Sequence, residues 1–296
     1  TLFSLKHLNY FISLAEYKHF GKAADACFVT QPTLSAAIKE FEDILGLQLF
    51  ERTKRNALIT KDGESLLVRA RDILIQADAL SDFAKSRKTP LSGSLNVGVI
   101  PTIAPYLLPR LMQQIRANFP NLTLYLKEDQ TERLLQQLHD GYLDILILAL
   151  PYEDDNISSY TFMQDPFYCA VPKNHKFAHK KQIKNEELYD ETLLLLEEGH
   201  CLRDHALAAC SWPTNHIQSS FAATSLITIV QMVANGSGIT LLPQMAVDAG
   251  IAMGSDITNI PLSKDSPPRD IGLVWRKSSG RRDEFTILGQ FLEKVL

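Results

Sequence analysis

FGKAADACFVTQPTLSAAIKEFEDILG, residues 20–46, reads as two short helices joined by a sharp turn. Ala23 and Ala24 leave room for a second helix to cross close to the first. That second helix opens at Thr30, a suitable N-cap, carries Pro32 in its first turn, and stops at Gly46. Such a pair is a helix-turn-helix, whose second helix presents its N-terminal polar residues to the major groove of DNA. Gln31, Thr33 and Ser35 can reach base edges or phosphates, with Pro32 seated among them, while Lys39 neutralises phosphate. The plain competing reading is a three-helix bundle with a solvated polar face. Acidic EFED, residues 40–43, is expected to be part of such a face.

Outward from this stretch, Leu5, Leu8, Phe11, Ile12 and Leu14 recur at helical spacing upstream. Downstream, LQLFERTKRNALIT (residues 47–60) reads as a two-stranded wing, with Arg52, Lys54 and Arg55 spaced to meet the flanking backbone or minor groove. From Thr60 to about Arg87, residues Leu66, Leu67, Ala70, Ile73, Leu74, Ala77, Leu80 and Phe83 line one side of a long helix. At ~1.5 Å per residue it extends about 40 Å, a length that predicts a coiled coil pairing two chains. SRKTPLSG then has the composition of a linker.

After Gly93 the texture changes. LNVGVI, LTLYLKE and DILILAL alternate with the helical runs YLLPRLMQQIRANFP and TERLLQQLHDG, which predicts βαβ units and a largely parallel sheet. FYCAVP, TLLLLEE, SSFAAT, GITLLP and DIGLVWR supply a second set of strands. The expected organisation is an N-terminal winged helix-turn-helix (1–59), a linker helix (60–90) and a two-lobed α/β domain (91–296). One lobe takes about 91–163 and 269–296, the other about 164–268. Ligand clefts in such folds open at the carboxyl ends of strands.

Composition narrows the function classes. The 296 residues give room for two domains, and 45% hydrophobic with 22% charged residues is ordinary for a soluble protein. No apolar run approaches the ~18 to 20 residues of a membrane span, and Lys6, Glu16 and Lys18 interrupt the first twenty. No secretion signal or membrane partner is therefore expected, and the cytoplasm is the expected location. The net charge of -4 hides an asymmetry: residues 1–88 carry 13 Lys/Arg against 11 Asp/Glu, and the rest 17 against 23. So small an excess does not itself indicate nucleic acid; the placement of the basic residues does. Four cysteines without a short-spaced framework fit a reducing compartment, where a functional disulfide would be regulatory.

EEGHCLRDHALAAC, residues 197–210, sets a geometric problem. A helix between Cys201 and Cys210 would hold them ~13 Å apart along its axis, whereas a disulfide tolerates a Cα separation of about 7 Å. Cys201 begins the helical pattern, and the helix N-terminus, His200 and Arg203 are expected to favour its thiolate. Cys210 falls in an apolar run. Peroxide converts a thiolate to a sulfenic acid, which a second thiol can condense into a disulfide, here only if the helix unwinds. Two unconnected buried cysteines are the plain alternative, and Cys27 and Cys169 are expected to be just that. The spacing of His200, Cys201, His205 and Cys210 matches no usual structural zinc pattern, so neither metal nor cofactor is expected. NGSGIT lacks the third glycine of a dinucleotide fingerprint and reads as a turn before a strand. With no legible Ser-His-Asp or paired-carboxylate arrangement, the chain does not read as an enzyme.

AADACFVTQPTLSAAIKEFEDILGLQLFERTKR closely resembles the winged helix-turn-helix of LysR-type transcriptional regulators, and the resemblance extends over nearly the whole chain. IPTIAPYLLP, EEGHCLRDHALAAC, FAATSLITIVQMVANGSGITLLP and RDIGLVWR resemble the peroxide-sensing activators of that family. The resemblance implies a dimerising linker helix and a two-lobed regulatory domain like a periplasmic binding protein. It implies Cys201 as the peroxide-reactive thiol and Cys210 as its resolving partner. Thr102, Thr131 and His200 would surround the peroxide, with Asp204 and Arg269 as polar supports, although SKDSPPRD departs from the family's usual run before IGLV. Implied partners are double-stranded DNA, a homodimer or homotetramer, RNA polymerase, hydrogen peroxide and cellular thiol reductants. A LysR-type regulator answering a small metabolite without redox chemistry is the first rival, and a thiol peroxidase with a DNA-binding appendage the second.

Overall fold

The periodicity of LKHLNYFISLAEY makes α1 (Leu5–Tyr17), whose Leu8, Phe11 and Leu14 are buried. They pack with α2 (Phe20–Ala26), α3 (Gln31–Leu45) and a small wing of β1 (Phe50–Arg52) and β2 (Ala57–Ile59). The computed structural model describes residues 3–52, 57–86, 90–211 and 222–296, in two compact units, Thr1–Lys85 and Ser86–Leu296. Ala23 and Ala24 are fully enclosed, and the Ser13 hydroxyl donates to the Ala23 carbonyl at 3.3 Å, the close crossing that small residues permit. Thr30 caps α3 by accepting from the Thr33 amide, and Gly46 ends it at φ +66. EFED is not uniformly a solvated face. Glu42 Oε1 accepts from the amides of Leu49 (2.8 Å) and Phe50 (3.1 Å), tying α3 to the entry of the wing. α4 (Lys61–Ser86) closes the unit; Ala70 is buried, while Val68, Ile73 and Leu80 are exposed.

The second unit begins with β3 (Gly93–Val99), α5 (Ala104–Asn118), β4 (Leu122–Glu128), α6 (Thr131–His139), β5 (Ile145–Leu150) and β6 (Ile157–Asp165). It continues through β7 (Phe167–Pro172), a 3-10 turn (Asn185–Leu188), β8 (Leu195–Leu196), α7 (Cys201–Ala209), β9 (Ala222–Ala223) and α8 (Leu226–Ala234). β10 (Thr240–Pro243), α9 (Gln244–Asp248), β11 (Ile257–Pro261), β12 (Arg269–Arg276) and α10 (Arg282–Val295) complete it.

These strands form two main sheets, with β8 and β9 paired apart as a short parallel ladder. The larger has the order β4-β3-β5-β12-β6; the smaller has the order β10-β7-β11. In the larger sheet the expectation of parallel pairing holds for β3, β4 and β5, which α5 and α6 connect as crossovers. Parallel neighbours need such long crossovers. β12 instead returns from the smaller lobe and runs antiparallel to both β5 and β6, and the smaller sheet is antiparallel throughout. TLLLLEE and SSFAAT contribute only the two-residue strands β8 and β9. Each sheet has its own core: Val97, Leu111, Leu134, Ile147 and Phe285 in the first, Phe167, Val171, Leu202, Ile229 and Leu242 in the second. The chain crosses between them after Asp165 and again before Arg269, which bear opposite register positions on β6 and β12. Among the described residues no helix is long and apolar enough to cross a membrane.

Candidate functional site

The helix-forming run LRDHALAA becomes α7, entered through a turn in which Gly199 takes φ +93. A side chain there would be strained, and its Cβ would sit 3.4 Å from the Gln130 amide group. His200 is the N-cap and Cys201 the first helical residue. Cys201 packs against the core of the larger lobe, while Leu202, Ala206 and Ala209 belong to the smaller one. Cys210 caps the far end and is wholly buried there, its Sγ 3.0 Å from the Ala206 carbonyl. Neither Cys201 nor Cys210 is joined in a disulfide. At ~1.5 Å per residue, α7 keeps them about 13 Å apart along its axis, each sulfur in a different core.

The buried Thr131 and Arg269 both act on the Cys201 thiol; the buried His200 precedes it in the chain, and the buried Thr102 is held by Arg269. Arg269 Nε donates to Asp165 Oδ2 at 2.8 Å, its NH1 donates to Thr102 Oγ1 at 3.2 Å, and its NH2 donates to the Thr102 carbonyl at 3.0 Å. Asp165 Oδ1 accepts from the Met245 amide at the start of α9 at 3.0 Å. This cluster joins the turn after β3, the end of β6, the start of β12 and α9 where the two cores meet. Neither threonine is a helix cap: Ile103 and Gln130 hold those positions. The Thr131 hydroxyl is 94% buried by residue and makes no hydrogen bond of ordinary geometry, yet it lies near enough to Cys201 to favour its thiolate. His200 Nε2 is 3.4 Å from Gln130 Nε2. Asp204 is exposed on the first turn of α7 and sits outside this enclosed group. Tyr106 packs against both cores, and burial pushes its phenol up to about 12.

The electrostatics correct one expectation. Burial pushes the Cys201 thiol above its ordinary value; Thr131, Arg269 and the residue's own amide oppose this only in part, and Asp204 adds to it. His200 supplies no positive charge, because burial lowers its pKa and keeps it neutral. Arg203 is engaged elsewhere, donating to the Leu196 carbonyl at 3.2 Å. Enclosure outweighs the helix N-terminus. The rate of Cys201 alkylation by iodoacetamide is therefore expected to keep climbing with pH beyond 9.0, the ordinary thiol value, without a plateau near neutrality. Thr131→Val shifts that profile further up; a plateau between about pH 6 and 7 would refute the assignment.

At the other unit, Gln31, Pro32, Thr33 and Lys39 are exposed and Ser35 is partly exposed, along the start and outer side of α3. The Thr33 hydroxyl lies 2.8 Å from that of Thr30. Arg52 lies on β1, but its side chain, together with Lys54 and Arg55, falls outside the described residues. Cys169 is buried on β7 as expected, whereas Cys27 is only half-buried beside its core. NGSGIT forms the turn into β10, with Gly236 at φ +79. Asp165 and Gln130 escaped sequence reasoning. Asp165 pairs with a residue more than a hundred positions away, and Gln130 had no motif to distinguish it from any loop glutamine.

Two family models cover the chain: the bacterial regulatory helix-turn-helix protein of the lysR family over residues 5–64, and the LysR substrate binding domain over 88–296. The DNA-binding transcriptional dual regulator OxyR of Escherichia coli K12 is 41% identical over 287 residues, covering 97% of this chain and 94% of that relative. The hydrogen peroxide-inducible genes activator of Haemophilus influenzae is 38% identical over 283 residues, covering 95% and 93%. Among solved structures, a full-length OxyR cysteine-to-aspartate variant from Pseudomonas aeruginosa superposes with a TM-score of 0.80 at 36% identity, covering 99% of this chain and 98% of that one. A hydrogen peroxide-bound OxyR cysteine-to-serine mutant from Corynebacterium glutamicum gives 0.69 at 35% identity, covering 100% and 93%.

Proposed function

The chain belongs to the LysR-type transcriptional regulators, in their OxyR branch, and from that premise we propose that it switches transcription in response to hydrogen peroxide through Cys201 and Cys210. The observation that carries this reading is the placement of the two cysteines, not joined in a disulfide, at opposite ends of α7 in two different cores. The Cys201 thiolate attacks one peroxide oxygen, so an S–O bond forms, the O–O bond breaks and hydroxide leaves to become water. The Cys210 thiol then condenses with the sulfenic acid, forming the S–S bond and releasing a second water. Closure to a Cα separation of about 7 Å requires α7 to unwind. That local change repacks the regulatory domain and, through the paired chains, the helices on DNA.

The Thr131 hydroxyl, without a hydrogen-bond partner of ordinary geometry, is a ready group for peroxide beside Cys201, and Thr102, held by Arg269, and His200 are assigned to the same pocket. Since the resting thiol is held protonated, selectivity for a small oxidant comes from this enclosure and not from a large standing thiolate fraction. Asp204 acts from the rim. The uncovered apolar residues Val68, Ile73 and Leu80 of α4 support pairing of two chains, with a tetramer as the assembled form. RNA polymerase is the partner of the DNA-bound state, and cytoplasmic thiol reductants reset the disulfide. The protein acts stoichiometrically as a sensor; sustained peroxide turnover with reductant would identify a thiol peroxidase instead.

Thiol counting after one equivalent of peroxide tests the reading directly. Two thiols are expected to disappear together, with peptide mapping joining Cys201 to Cys210; loss of neither refutes it. On the DNA side, the exposed Lys39 is assigned to phosphate and the exposed Gln31, Thr33 and part-exposed Ser35 to the major groove, with Pro32 shaping the helix start. Lys39→Ala is expected to weaken binding evenly across operator sequences and to reduce the log–log salt slope by about 1 per binding site. An unchanged slope would remove Lys39 from the interface. Arg52, Lys54 and Arg55 of the wing are assigned to the flanking backbone.

A further inference from the structure

His205 follows Cys201 by four residues, one turn along the same face of α7. The charges that act on its imidazole are the Arg269 guanidinium and the Asp270 carboxylate, both of β12, and Asp204, its neighbour on α7 itself. The ring's Nδ1 is buried and has no hydrogen-bond partner among the described residues. A proton on this ring would be poorly solvated and repelled by Arg269. Burial and Arg269 accordingly lower its proton affinity from the ordinary 6.5, against the weaker opposition of Asp204 and Asp270.

This environment belongs to the helical state alone. His205 lies midway between two cysteines that an intact α7 holds ~13 Å apart and a disulfide must bring within about 7 Å. The segment cannot close that gap and keep its middle residue in place, with its Nδ1 buried and the charge of Arg269 acting on it. Nor does leaving cost the ring a hydrogen bond at Nδ1, since it makes none. We propose that His205 couples the refolding of α7 to proton uptake, being neutral in the helical dithiol state and protonated from solvent in the unwound disulfide state. The proposal rests on the peroxide-switch reading above and adds a pH term to the same site.

The sign follows from linkage. A histidine whose proton affinity is depressed in the helical state stabilises that state fully above its ordinary pKa, and the contribution fades as pH falls below it. Acid therefore favours the disulfide form. Reduction of the disulfide consumes two electrons and two protons; as α7 reforms, His205 returns one proton, so one fewer comes from solvent.

The experiment equilibrates the full chain with a fixed ratio of reduced to oxidised dithiothreitol between about pH 5 and 8. The disulfide-to-dithiol ratio of Cys201 and Cys210 is read by peptide mapping, for the natural chain and for His205→Gln. Comparison of the two cancels the pH dependence of the buffer couple and of His200, which both chains keep. Above about pH 6.5 the two curves are expected to run parallel. Below it the natural chain gains disulfide over the variant by up to about tenfold per pH unit, until the depressed affinity of the helical state is passed. His205→Asn serves if the glutamine variant does not fold. Parallel curves over the whole range overturn the proposal alone, whereas failure to form any Cys201–Cys210 bond overturns the switch beneath it as well.

Discussion

Cys201→Ser is expected to leave the DNA footprint in its peroxide-free form at every peroxide concentration, with loss of the entire response. The serine hydroxyl remains protonated far above neutral pH and forms no sulfenic acid, so neither the S–O nor the S–S bond can form. Cys210→Ser behaves differently: Cys201 still reacts, a dimedone-type probe captures its sulfenic acid, and no disulfide follows. The contrast matters because both variants remove one thiol, yet only the first removes the reaction with peroxide. Folding is a separate quantity. Cys201 is half-buried and Cys210 wholly buried in an apolar core, so a serine hydroxyl is tolerated better at 201 than at 210. A peroxide-dependent footprint in Cys201→Ser would transfer the sensing role elsewhere in the chain.

The second large effect is on stability. Arg269 and Asp165 form an ion pair with side chains 0% and 1% exposed, and their remaining groups hold the Thr102 carbonyl and the Met245 amide. Asp165→Ala leaves the guanidinium enclosed without its counter-charge and the Met245 amide without its acceptor. Removing one partner of such a buried pair costs about 3–5 kcal/mol, a large fraction of an ordinary domain's stability. The urea midpoint of the regulatory unit is expected to fall accordingly. Replacing both partners by apolar side chains of similar volume, as in Asp165→Leu with Arg269→Met, recovers much of it, because no unpaired charge then remains. A midpoint shift below about 1 kcal/mol for Asp165→Ala would show that water reaches Arg269 and that the cluster is not the clamp between lobes inferred from its geometry.

Position along the chain made some of this legible and concealed the rest. α3 could be bounded to the residue because its signals are local: Thr30 accepts the Thr33 amide, Pro32 needs no donor, and Gly46 adopts a left-handed turn. α7 was legible for the same reason, as was the mismatch between its length and a disulfide. Strand direction was not. The parallel trio β3, β4 and β5 follows from crossover helices visible in the sequence, but the antiparallel return of β12 depends on where the chain re-enters after the smaller lobe. Glu42 was read from charge as solvated, whereas two wing amides claim it. The ionisation of Cys201 also ran opposite to its local signals, because burial raises the thiol by more than Thr131 of α6 and Arg269 of β12 lower it.

The sequence by itself determined the order of the elements, the DNA-reading helix and the two thiols, nine positions apart on a helix too long for their bond. Those are properties of neighbours in the chain, governed by capping, periodicity and rise per residue. Only the tertiary structure decided which core receives each thiol, that Asp165 holds Arg269, and that His205 buries a nitrogen without a hydrogen-bond partner among the described residues. These depend on desolvation and on charges brought together from distant positions, whose energies are set by the surrounding atoms and not by the residues next in line.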